Sequence, residues 1–407
     1  MTVKINKSTA FGRISAPPSK SMAHRYLICG ALSGGSIIKG IDYSEDIKAT
    51  LGCLEALGAH IKTDDGNVLI GGINPEKPLK SNKLFCNESG STLRFLMPIC
   101  LLFGKEITLT GSERLFSRSL SVYEEICSAQ GISFVKTENS VTLKGRLQSG
   151  KYSVRGDISS QFISGLMFAL SQLPDDSTIE IEGAIESGSY LSLTIKALAD
   201  FGVRISRSDE RTIYIKGNQS CKKREITVES DYSNAAFLDA FNLIGGNVMV
   251  KGLSDKSVQG DRVYKEIFKE LERGTPTIDI SDCPDLGPIL MAIAAAKNGA
   301  VFTGTKRLKI KESDRGEAMK AELSKFGCEV LVEENMITVN AGELKTPDRP
   351  LLGHNDHRIV MSMAVLASIT GGEILGAEAV AKSYPQFFDD IVTLGVGVEL
   401  VKQGEMQ

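Results

Sequence analysis

Residues 178–217 read TIEIEGAIESGSYLSLTIKALADFGVRISRSDERTIYIKG, a stretch in which three local patterns follow one another. An alternating β-rich run ends at Gly183, an amphipathic helical pattern ends at Gly202, and two further alternating runs flank the polar residues 207–211. Alternation indicates strands, an apolar period of about 3.6 residues indicates a helix, and a polar segment between alternating runs indicates a hairpin. The stretch therefore predicts a strand, a helix closed by glycine, and a β-hairpin in series.

The Gly-ended strand recurs along the whole chain, at SIIKG (36–40), EITLTG (106–111), TIEIEG (178–183), NVMVKG (247–252), AVFTG (300–304) and GEILG (372–376). The final glycines are 71, 72, 69, 52 and 72 residues apart, and the short interval predicts a fourth unit that lacks its hairpin. A second, more apolar helical pattern precedes each strand. A fixed period of this kind indicates repeated supersecondary units. Six units in two groups of three predict an α/β protein with two similar domains.

Composition excludes several classes of protein. The 407 residues exceed the roughly 250–300 at which a single core stops growing, which also favours two domains. A net charge of −3 argues against a general nucleic-acid binder, and no apolar run approaches the roughly 20 residues of a membrane span. The N-terminus lacks the apolar core of a signal peptide. Eight scattered cysteines without a CxxC pair predict reduced, buried thiols and no metal site, as in a cytoplasmic protein.

The starts of the six apolar helices indicate a ligand. They lie within PPSKSMAHRYLI (17–28), ESGSTLRFLM (88–97), DISSQFISGL (157–166), DYSNAAFLDA (231–240), DCPDLGPILM (282–291) and HNDHRIVMSM (354–363). Helix capping accounts for about half of the polar residues there. Capping leaves the cations unexplained, namely Lys20, Arg25, Arg94, His357 and Arg358. Cations oppose the macrodipole at a helix start unless an anion lies between them and the free backbone N–H groups. The pattern predicts a site for a multiply anionic small molecule.

Two other patterns carry no site. GRLQSGKY (145–152) departs from a P-loop pattern at one residue, Tyr152, where Ser or Thr is needed, and it precedes a strand-like stretch. The four histidines form no i, i+4 pair that would indicate a metal.

The helix starts and nearby segments resemble, in order, the motifs of the 5-enolpyruvylshikimate-3-phosphate synthases. The matching segments are PPSKSMAHR (17–25), ESGSTLR (88–94), SERLFSR (112–118), SSQF (159–162), CPDLG (283–287), KESDR (311–315), NDHR (355–358) and AKSYPQFF (381–388). The resemblance extends from about residue 13 to 395. It implies a domain of residues 19–228 and a second of 1–18 with 229–407. Each holds three βαβαββ units around a pseudo-threefold axis, an inside-out α/β barrel. It also implies an active site in the cleft between the domains. Because the cationic residues come from both halves of the chain, we expect the ligands to draw the two domains together.

The resemblance also implies an activity and its ligands. The enolpyruvyl group of phosphoenolpyruvate passes to the 5-hydroxyl of shikimate 3-phosphate, with release of phosphate and with no metal or organic cofactor. The expected phosphoenolpyruvate residues are Lys20, Gly90, Arg118, Gln161, Arg315, Arg358 and Lys382. The expected shikimate 3-phosphate residues are Lys20, Ser21, Arg25, Ser159, Ser160, Gln161, Ser187, Tyr190, Asp285 and Lys311. Arg94, His357 and Arg307 are secondary candidates. The expected partners are these two small molecules alone, without nucleic acid or membrane, and the expected state is a monomer that is sensitive to glyphosate.

Two carboxylates match the acid and base positions of the family. Carboxylates suit both proton transfers of an addition followed by an elimination. Asp285 is expected to take the hydroxyl proton and Glu312 to serve C3 of phosphoenolpyruvate, while Lys20 stabilises developing charge. Within KESDR, Asp314 is expected to pair with a neighbouring arginine.

The chain departs from the common family pattern at Glu88, Ser119 and Arg307. At Glu88 and Ser119 the family pattern therefore does not predict the geometry of the local loop. Arg307 is expected either to reach the phosphate side or to point to solvent. The nearest alternative is a UDP-N-acetylglucosamine enolpyruvyl transferase, but GSERLFSR (111–118) lacks the catalytic cysteine usual there. An RNA 3′-phosphate cyclase would need a nucleotide-linked histidine in a different context. A non-catalytic binding protein built from repeats would need neither Asp285 nor Glu312.

Overall fold

The computed structural model describes residues 1–185 and 187–401. The chain divides into two compact units, which we call the continuous unit (Lys20–Glu229) and the split unit (Met1–Ser19 with Ser230–Gln407). Each unit has its own hydrophobic core.

The elements are numbered along the chain. The described strands are β1 (Thr2–Asn6), β2 (Phe11–Ser15), β3 (Ser36–Lys39), β4 (Ile61–Asp64), β5 (Asn67–Ile70), β6 (Lys83–Phe85), β7 (Glu106–Thr110), β8 (Ser133–Lys136), β9 (Ser140–Lys144), β10 (Lys151–Arg155), β11 (Ser177–Glu182), β12 (Ile205–Arg207), β13 (Thr212–Ile215), β14 (Glu225–Thr227), β15 (Asn247–Lys251), β16 (Thr277–Asp279), β17 (Ala300–Thr303), β18 (Val330–Val332), β19 (Met336–Val339), β20 (Leu351–Leu352), β21 (Gly372–Leu375) and β22 (Gly397–Val401). The described α-helices are α1 (Lys20–Leu32), α2 (Glu45–Ala56), α3 (Gly90–Cys100), α4 (Glu113–Ser117), α5 (Ser121–Ala129), α6 (Ser160–Leu170), α7 (Gly188–Asp200), α8 (Tyr232–Leu243), α9 (Tyr264–Arg273), α10 (Gly287–Ala296), α11 (Arg315–Lys325), α12 (His357–Thr370) and α13 (Phe387–Thr393). Short 3₁₀ helices cover Gly260–Val263, Pro284–Leu286, Lys306–Ile310 and Ala377–Lys382.

The continuous unit repeats one sheet pattern three times, with strand orders β14-β3-β5-β4, β6-β7-β9-β8 and β10-β11-β13-β12. In each sheet the Gly-ended strand has one parallel neighbour and pairs antiparallel with the hairpin, as β11 does with β10 and β13. The parallel neighbour of β3 is β14, from the end of the unit. Gly40 and Gly183 end their strands at φ values of +69° and +74°, where a side chain is disfavoured. The predicted strands and hairpins of this unit are confirmed.

The helices of the continuous unit differ in burial because their sequences differ. The residues of α3 and α6 are almost all buried, and the two helices pack against each other. A helix that is apolar on all sides must be enclosed, whereas an amphipathic helix such as α2 covers the core with one face. The most apolar helices therefore lie inside, and the sheets with the amphipathic helices lie outside.

The split unit shows the predicted loss of one hairpin. Its sheets are ordered β15-β2, β16-β17-β19-β18 and β20-β21-β1-β22, and the two-stranded sheet belongs to the unit with the short interval. After β15 the chain forms a 3₁₀ helix and α9 in place of a hairpin. In the last sheet the N-terminal strand β1 lies between β21 and β22, with Thr2 opposite Val401. The predicted α/β fold with three units in each half is confirmed.

All eight cysteines lie in the described residues, where each is buried and none forms a disulfide. Across residues 1–185 and 187–401, we find no helix with the length and apolar character needed to span a bilayer. Gly150 and Lys151 lead into strand β10, so the rejected P-loop pattern indeed precedes a strand.

Candidate active site

Three sequence motifs of the continuous unit meet around Gly90, the first residue of α3. A Cβ atom added there would lie 3.1 Å from Nη1 of Arg118 and 3.1 Å from Nη1 of Arg94. Arg94 also donates from Nη1 to Oε1 of Gln161 at 2.9 Å, and Gln161 donates to Oγ of Ser91 at 3.0 Å. Two cations and an amide thus surround a position without a side chain, as close approach of a ligand would require.

Arg118 lies at the end of α4 and is 8% exposed. Its Nε atom is buried without a hydrogen-bond partner among the described residues. An unsatisfied buried donor is costly, so this guanidinium is suited to an acceptor supplied by a ligand.

Arg25, on α1, is a buried cation held by neutral groups. It is 1% exposed and donates to Oγ1 of Thr194 at 2.8 Å and to the carbonyl oxygens of Ser21 and Tyr190 at 2.6 and 3.1 Å. Its guanidinium carbon lies 5.0 Å from the centre of the Phe95 ring. In the part of the chain that the structure describes, no carboxylate forms an ion pair with it. Burial lowers its pKa to about 10 because charge is disfavoured there. Such a cation is suited to a negatively charged ligand.

The start of α1 also carries Lys20, whose Nζ lies 2.8 Å from Oδ2 of Asp46 in a largely buried ion pair. Four residues further on, Nδ1 of His24 lies 2.8 Å from Oγ1 of Thr50, which is 2.6 Å from Oγ1 of Thr92. Burial first, and then the charges of Lys20 and Arg25, lower the pKa of His24. These contacts connect α1 to α2 and α3. Of the residues that form them, the sequence analysis singled out only Lys20, because no local pattern indicates the others.

The serines predicted to bind phosphate have local contacts as well. Ser159 is the N-cap of α6, where its hydroxyl accepts from the amide of Gln161 at 3.3 Å. Ser160 is buried in the first turn, and Ser187 precedes α7 with a left-handed φ of +59°. Tyr190 contributes its carbonyl oxygen to Arg25. Capping therefore explains Ser159, although its hydroxyl hydrogen remains available to an acceptor.

The split unit gathers its charged candidates around Asp285, in the 3₁₀ helix before α10. Oδ1 of Asp285 lies 3.0 Å from Nζ of Lys311 and 2.9 Å from Nη1 of Arg315, and Oδ2 lies 3.3 Å from Nη2 of Arg358. Burial raises the pKa of Asp285, but the three cations outweigh it and hold the pKa well below its usual range. The carboxylate is therefore ionised at neutral pH.

Arg315 links three carboxylates and is itself 1% exposed. Besides Asp285, it donates from Nη2 to Oε2 of Glu312 at 2.8 Å and from Nε to Oδ2 of Asp356 at 2.9 Å. Burial lowers the pKa of this guanidinium, but the charges of Asp356, Glu312 and Asp285 more than offset burial and raise it. Asp356 is the N-cap of α12 and accepts from the amide of Arg358. The sequence placed Asp356 inside a motif but assigned it no role.

The expected pairing of Asp314 with an arginine is wrong. Its carboxylate is the N-cap of α11, where it accepts from the amide of Glu317 at 3.2 Å. Arg315 pairs instead with Asp285, Glu312 and Asp356. Adjacent residues at a helix start do not face each other, which is the physical reason for the error.

The remaining candidates lie close to this group. Arg307 is buried, which excludes the solvent-facing alternative, and its charge contributes after burial to lowering the pKa of Lys311. His357 is buried at the start of α12, with Nδ1 3.9 Å from Oδ1 of Asp356. Lys382 donates to the carbonyl oxygen of Asn355 at 2.6 Å.

The two other departures from the family pattern lie between regular elements. Asn87, just before Glu88, adopts a left-handed φ of +53°, and Ser89 then caps α3. Ser119 bonds to Ser121 through its hydroxyl and leads into α5.

The sequence profile described as EPSP synthase (3-phosphoshikimate 1-carboxyvinyltransferase) matches residues 6–275 and 273–391. The chain belongs to the EPSP synthase family. A 3-phosphoshikimate 1-carboxyvinyltransferase of Clostridium kluyveri is 40% identical over 416 residues, covering 97% of each chain. One from Clostridium acetobutylicum is 40% identical over 429 residues, covering 99% of each chain. The resemblance found in the sequence is therefore confirmed.

Solved EPSP synthases share the fold of this chain. A structure of EPSP synthase from Acinetobacter baumannii aligns with a TM-score of 0.78 at 23% identity, over 98% of this chain and 100% of that one. Segment 112–118 contains no cysteine, and it forms α4 with its N-cap Ser112.

Proposed function

We propose that this member of the EPSP synthase family transfers the enolpyruvyl group of phosphoenolpyruvate to the 5-hydroxyl of shikimate 3-phosphate. The products are 5-enolpyruvylshikimate 3-phosphate and phosphate, on the shikimate pathway to chorismate and the aromatic amino acids. The structural observation that best supports the chemistry is the pair of carboxylates, Asp285 and Glu312, bonded to one buried guanidinium, that of Arg315. This arrangement places two proton carriers beside cations.

The proposed reaction needs one base and one acid in turn. Asp285 accepts the proton of the 5-hydroxyl as its oxygen bonds to C2 of phosphoenolpyruvate, while Glu312 donates a proton to C3. Glu312 then takes a proton back from C3 as the C–O bond to phosphate breaks, which restores the double bond and releases phosphate. Each transfer is the work of a positioned carboxyl group. Lys20 stabilises the charge that develops between these steps.

The cations that now hold Asp285 also set its basicity. A substrate phosphate or carboxylate shares Lys311 and Arg358 with Asp285, so less positive charge remains on the carboxylate and its pKa rises. Substrate binding thereby makes Asp285 a better base than it is in the free chain.

Arg315 has little hydrogen-bonding capacity to spare for phosphoenolpyruvate. A guanidinium has five N–H donors. Four bonds to Asp285, Glu312 and Asp356 are already formed, two of them to Asp356. We therefore assign Arg315 a double task, the orientation of both carboxylates and a single hydrogen bond to the substrate. Arg118, with its buried and unpartnered Nε, is better suited to hold the anion.

A coupled phosphate-release assay tests the function. Phosphate should appear with phosphoenolpyruvate and shikimate 3-phosphate together and with neither alone. UDP-N-acetylglucosamine is the competing acceptor, and turnover with it in place of shikimate 3-phosphate would overturn the assignment.

A Glu312→Gln variant should lose turnover far more than affinity. Glutamine keeps the shape and an acceptor for Arg315 but cannot shuttle a proton, so we expect kcat to fall by roughly 10²–10⁴-fold with KM values within about threefold. Steady-state kinetics measure both. Glu317→Gln, on the exposed face of α11, is the control. Weakened affinity with surviving turnover would make Glu312 a scaffold residue instead.

A Gly90→Ala variant should fold normally and bind phosphoenolpyruvate less well. Alanine favours a helix by roughly 0.5–1 kcal/mol over glycine. The new methyl group meets the movable ends of Arg94 and Arg118 at 3.1 Å and of Gln161 at 3.4 Å. We expect the KM for phosphoenolpyruvate and the inhibition constant of glyphosate to rise, with the KM for shikimate 3-phosphate unchanged. Gly52→Ala is the matched control, since a Cβ at that helical glycine meets nothing within 4 Å. Equal effects of both variants would contradict the placement of Gly90 in the site.

We further propose that both units act on the same pair of substrates and that the chain works as a cytoplasmic monomer. Cations of both units support the first point, and eight unpaired thiols support the compartment. Substitution of a site residue in either unit should abolish a single turnover of the same two substrates. Light scattering should give the mass of one chain, 43.9 kDa.

A further inference from the structure

A second group of ionisable side chains in the split unit is not used by the proposed mechanism. Glu322, on α11, has a side chain that is 1% exposed. Its Oε2 accepts from Nζ of Lys325 at 2.7 Å and from the amide of Leu352 at 2.8 Å, and its Oε1 lies 2.8 Å from Nε2 of His354. Burial raises the pKa of Glu322, but the bonds from His354, Lys325 and Leu352 outweigh burial and lower it. Glu322 is thus a buried anion whose bonds all lead to α11 or to the segment before α12.

That segment contains a strained turn. His354 and Asn355 have φ values of +49° and +53°, two consecutive left-handed residues that are not glycine. The amide of Asp356 closes the turn by donating to the carbonyl oxygen of Gly353 at 2.9 Å. Left-handed backbone is disfavoured for residues with a side chain and persists where the surroundings hold it in place. The bond between His354 and Glu322 supplies such a restraint at the first of the two strained residues.

Helix α11 holds this turn at both ends. Arg315 and Glu322 are seven residues apart, or about two helical turns, and so lie on the same face of the helix. Glu322 bonds to His354 at the beginning of the turn, and Arg315 bonds to Asp356 at its end. The carbonyl oxygen between them, that of Asn355, accepts from Nζ of Lys382 at 2.6 Å.

We propose that His354 is a positioning residue for phosphoenolpyruvate, because its bond to buried Glu322 fixes the turn whose Asn355 carbonyl places the ammonium of Lys382. This inference rests on the proposed function in one respect, the assignment of Lys382 to the phosphoenolpyruvate site. In this proposal His354 acts through the backbone of residues 354–356 and touches neither substrate.

Kinetic constants separate positioning from a merely structural bond. In a His354→Ala variant we expect the KM for phosphoenolpyruvate to rise about tenfold, which corresponds to roughly 1.4 kcal/mol. The KM for shikimate 3-phosphate and kcat should stay within about twofold of the unmodified chain. His354→Gln should restore most of the loss, since its side-chain amide can donate to Glu322. Glu317→Gln, on the exposed face of the same helix, is the control and should change none of these constants.

Two measurements keep the inference testable if activity or folding is affected. His354→Gly removes the bond and the left-handed strain together, so we expect it to be more stable to heat than His354→Ala while its KM for phosphoenolpyruvate stays high. Amide hydrogen exchange at Asp356 should be faster in the Ala variant than in the Gln variant, whether or not either releases phosphate.

Two results would overturn the inference. One is a folded His354→Ala chain with an unchanged KM for phosphoenolpyruvate, and the other is an equal rise in both KM values. An unmodified chain that releases no phosphate would instead defeat the proposed function, and the exchange rates would still report on the turn.

Discussion

An Asp285→Asn variant should lose at least about 10³-fold in kcat while it still binds both substrates. The amide cannot accept the proton of the 5-hydroxyl. It also leaves Lys311, Arg315 and Arg358 without the carboxylate that now lies within 3.3 Å of each. A site with one negative charge fewer attracts anions more strongly, so the KM for phosphoenolpyruvate should be unchanged or lower. Single-turnover kinetics with saturating substrates measure the loss directly.

The same substitution should destabilise the ligand-free chain. Removing one partner from a buried charge group costs about 3–5 kcal/mol, because the remaining charges are left uncompensated. Phosphate or phosphoenolpyruvate should therefore raise the thermal midpoint of the variant more than that of the unmodified chain. Asp282→Asn, at an exposed position of the same segment, is the control. A kcat within tenfold of normal would remove Asp285 from the chemistry.

An Arg25→Met variant should lose shikimate 3-phosphate binding with little loss of stability. Methionine fills much of the same volume beside Phe95 and removes a buried charge that has no carboxylate partner in the described chain. Relief of that burial offsets the loss of three hydrogen bonds to neutral oxygens. For the substrate, loss of a buried hydrogen-bonded charge pair costs about 2–5 kcal/mol, so we expect affinity to fall by roughly 10²-fold or more.

Titration calorimetry with shikimate 3-phosphate and a thermal melt measure the two effects separately. Added shikimate 3-phosphate should raise the thermal midpoint of the unmodified chain and not that of the variant. Arg155→Met removes an exposed arginine and should leave both quantities unchanged. Normal affinity in Arg25→Met would show that the buried cation serves only the fold.

Much of the fold was predictable because its signals are local. The alternation of β11, the helical period of α7 and the turn between β12 and β13 are each contained in a few adjacent residues. The absence of a hairpin after β15 was predictable from spacing alone. The position of β1 between β21 and β22 was not, because it joins residues from opposite ends of the chain.

The candidate site was predictable only in its residue types and, through the family resemblance, in its members. No sequence pattern indicated that Asp46 pairs with Lys20 or that Glu322 holds His354, since these partners are 26 and 32 residues apart. Asp314 was misassigned because its neighbour in sequence, Arg315, faces a different way at the helix start.

The sequence by itself determined the six repeated units, the missing hairpin, and the cations at helix starts that require an anion. Only the tertiary structure decided which carboxylate each cation meets. Among the described residues Arg25 therefore has no such partner, while Arg315 has three. Local patterns depend on neighbouring backbone geometry, whereas the charge state of a buried group depends on atoms brought close by folding from distant parts of the chain.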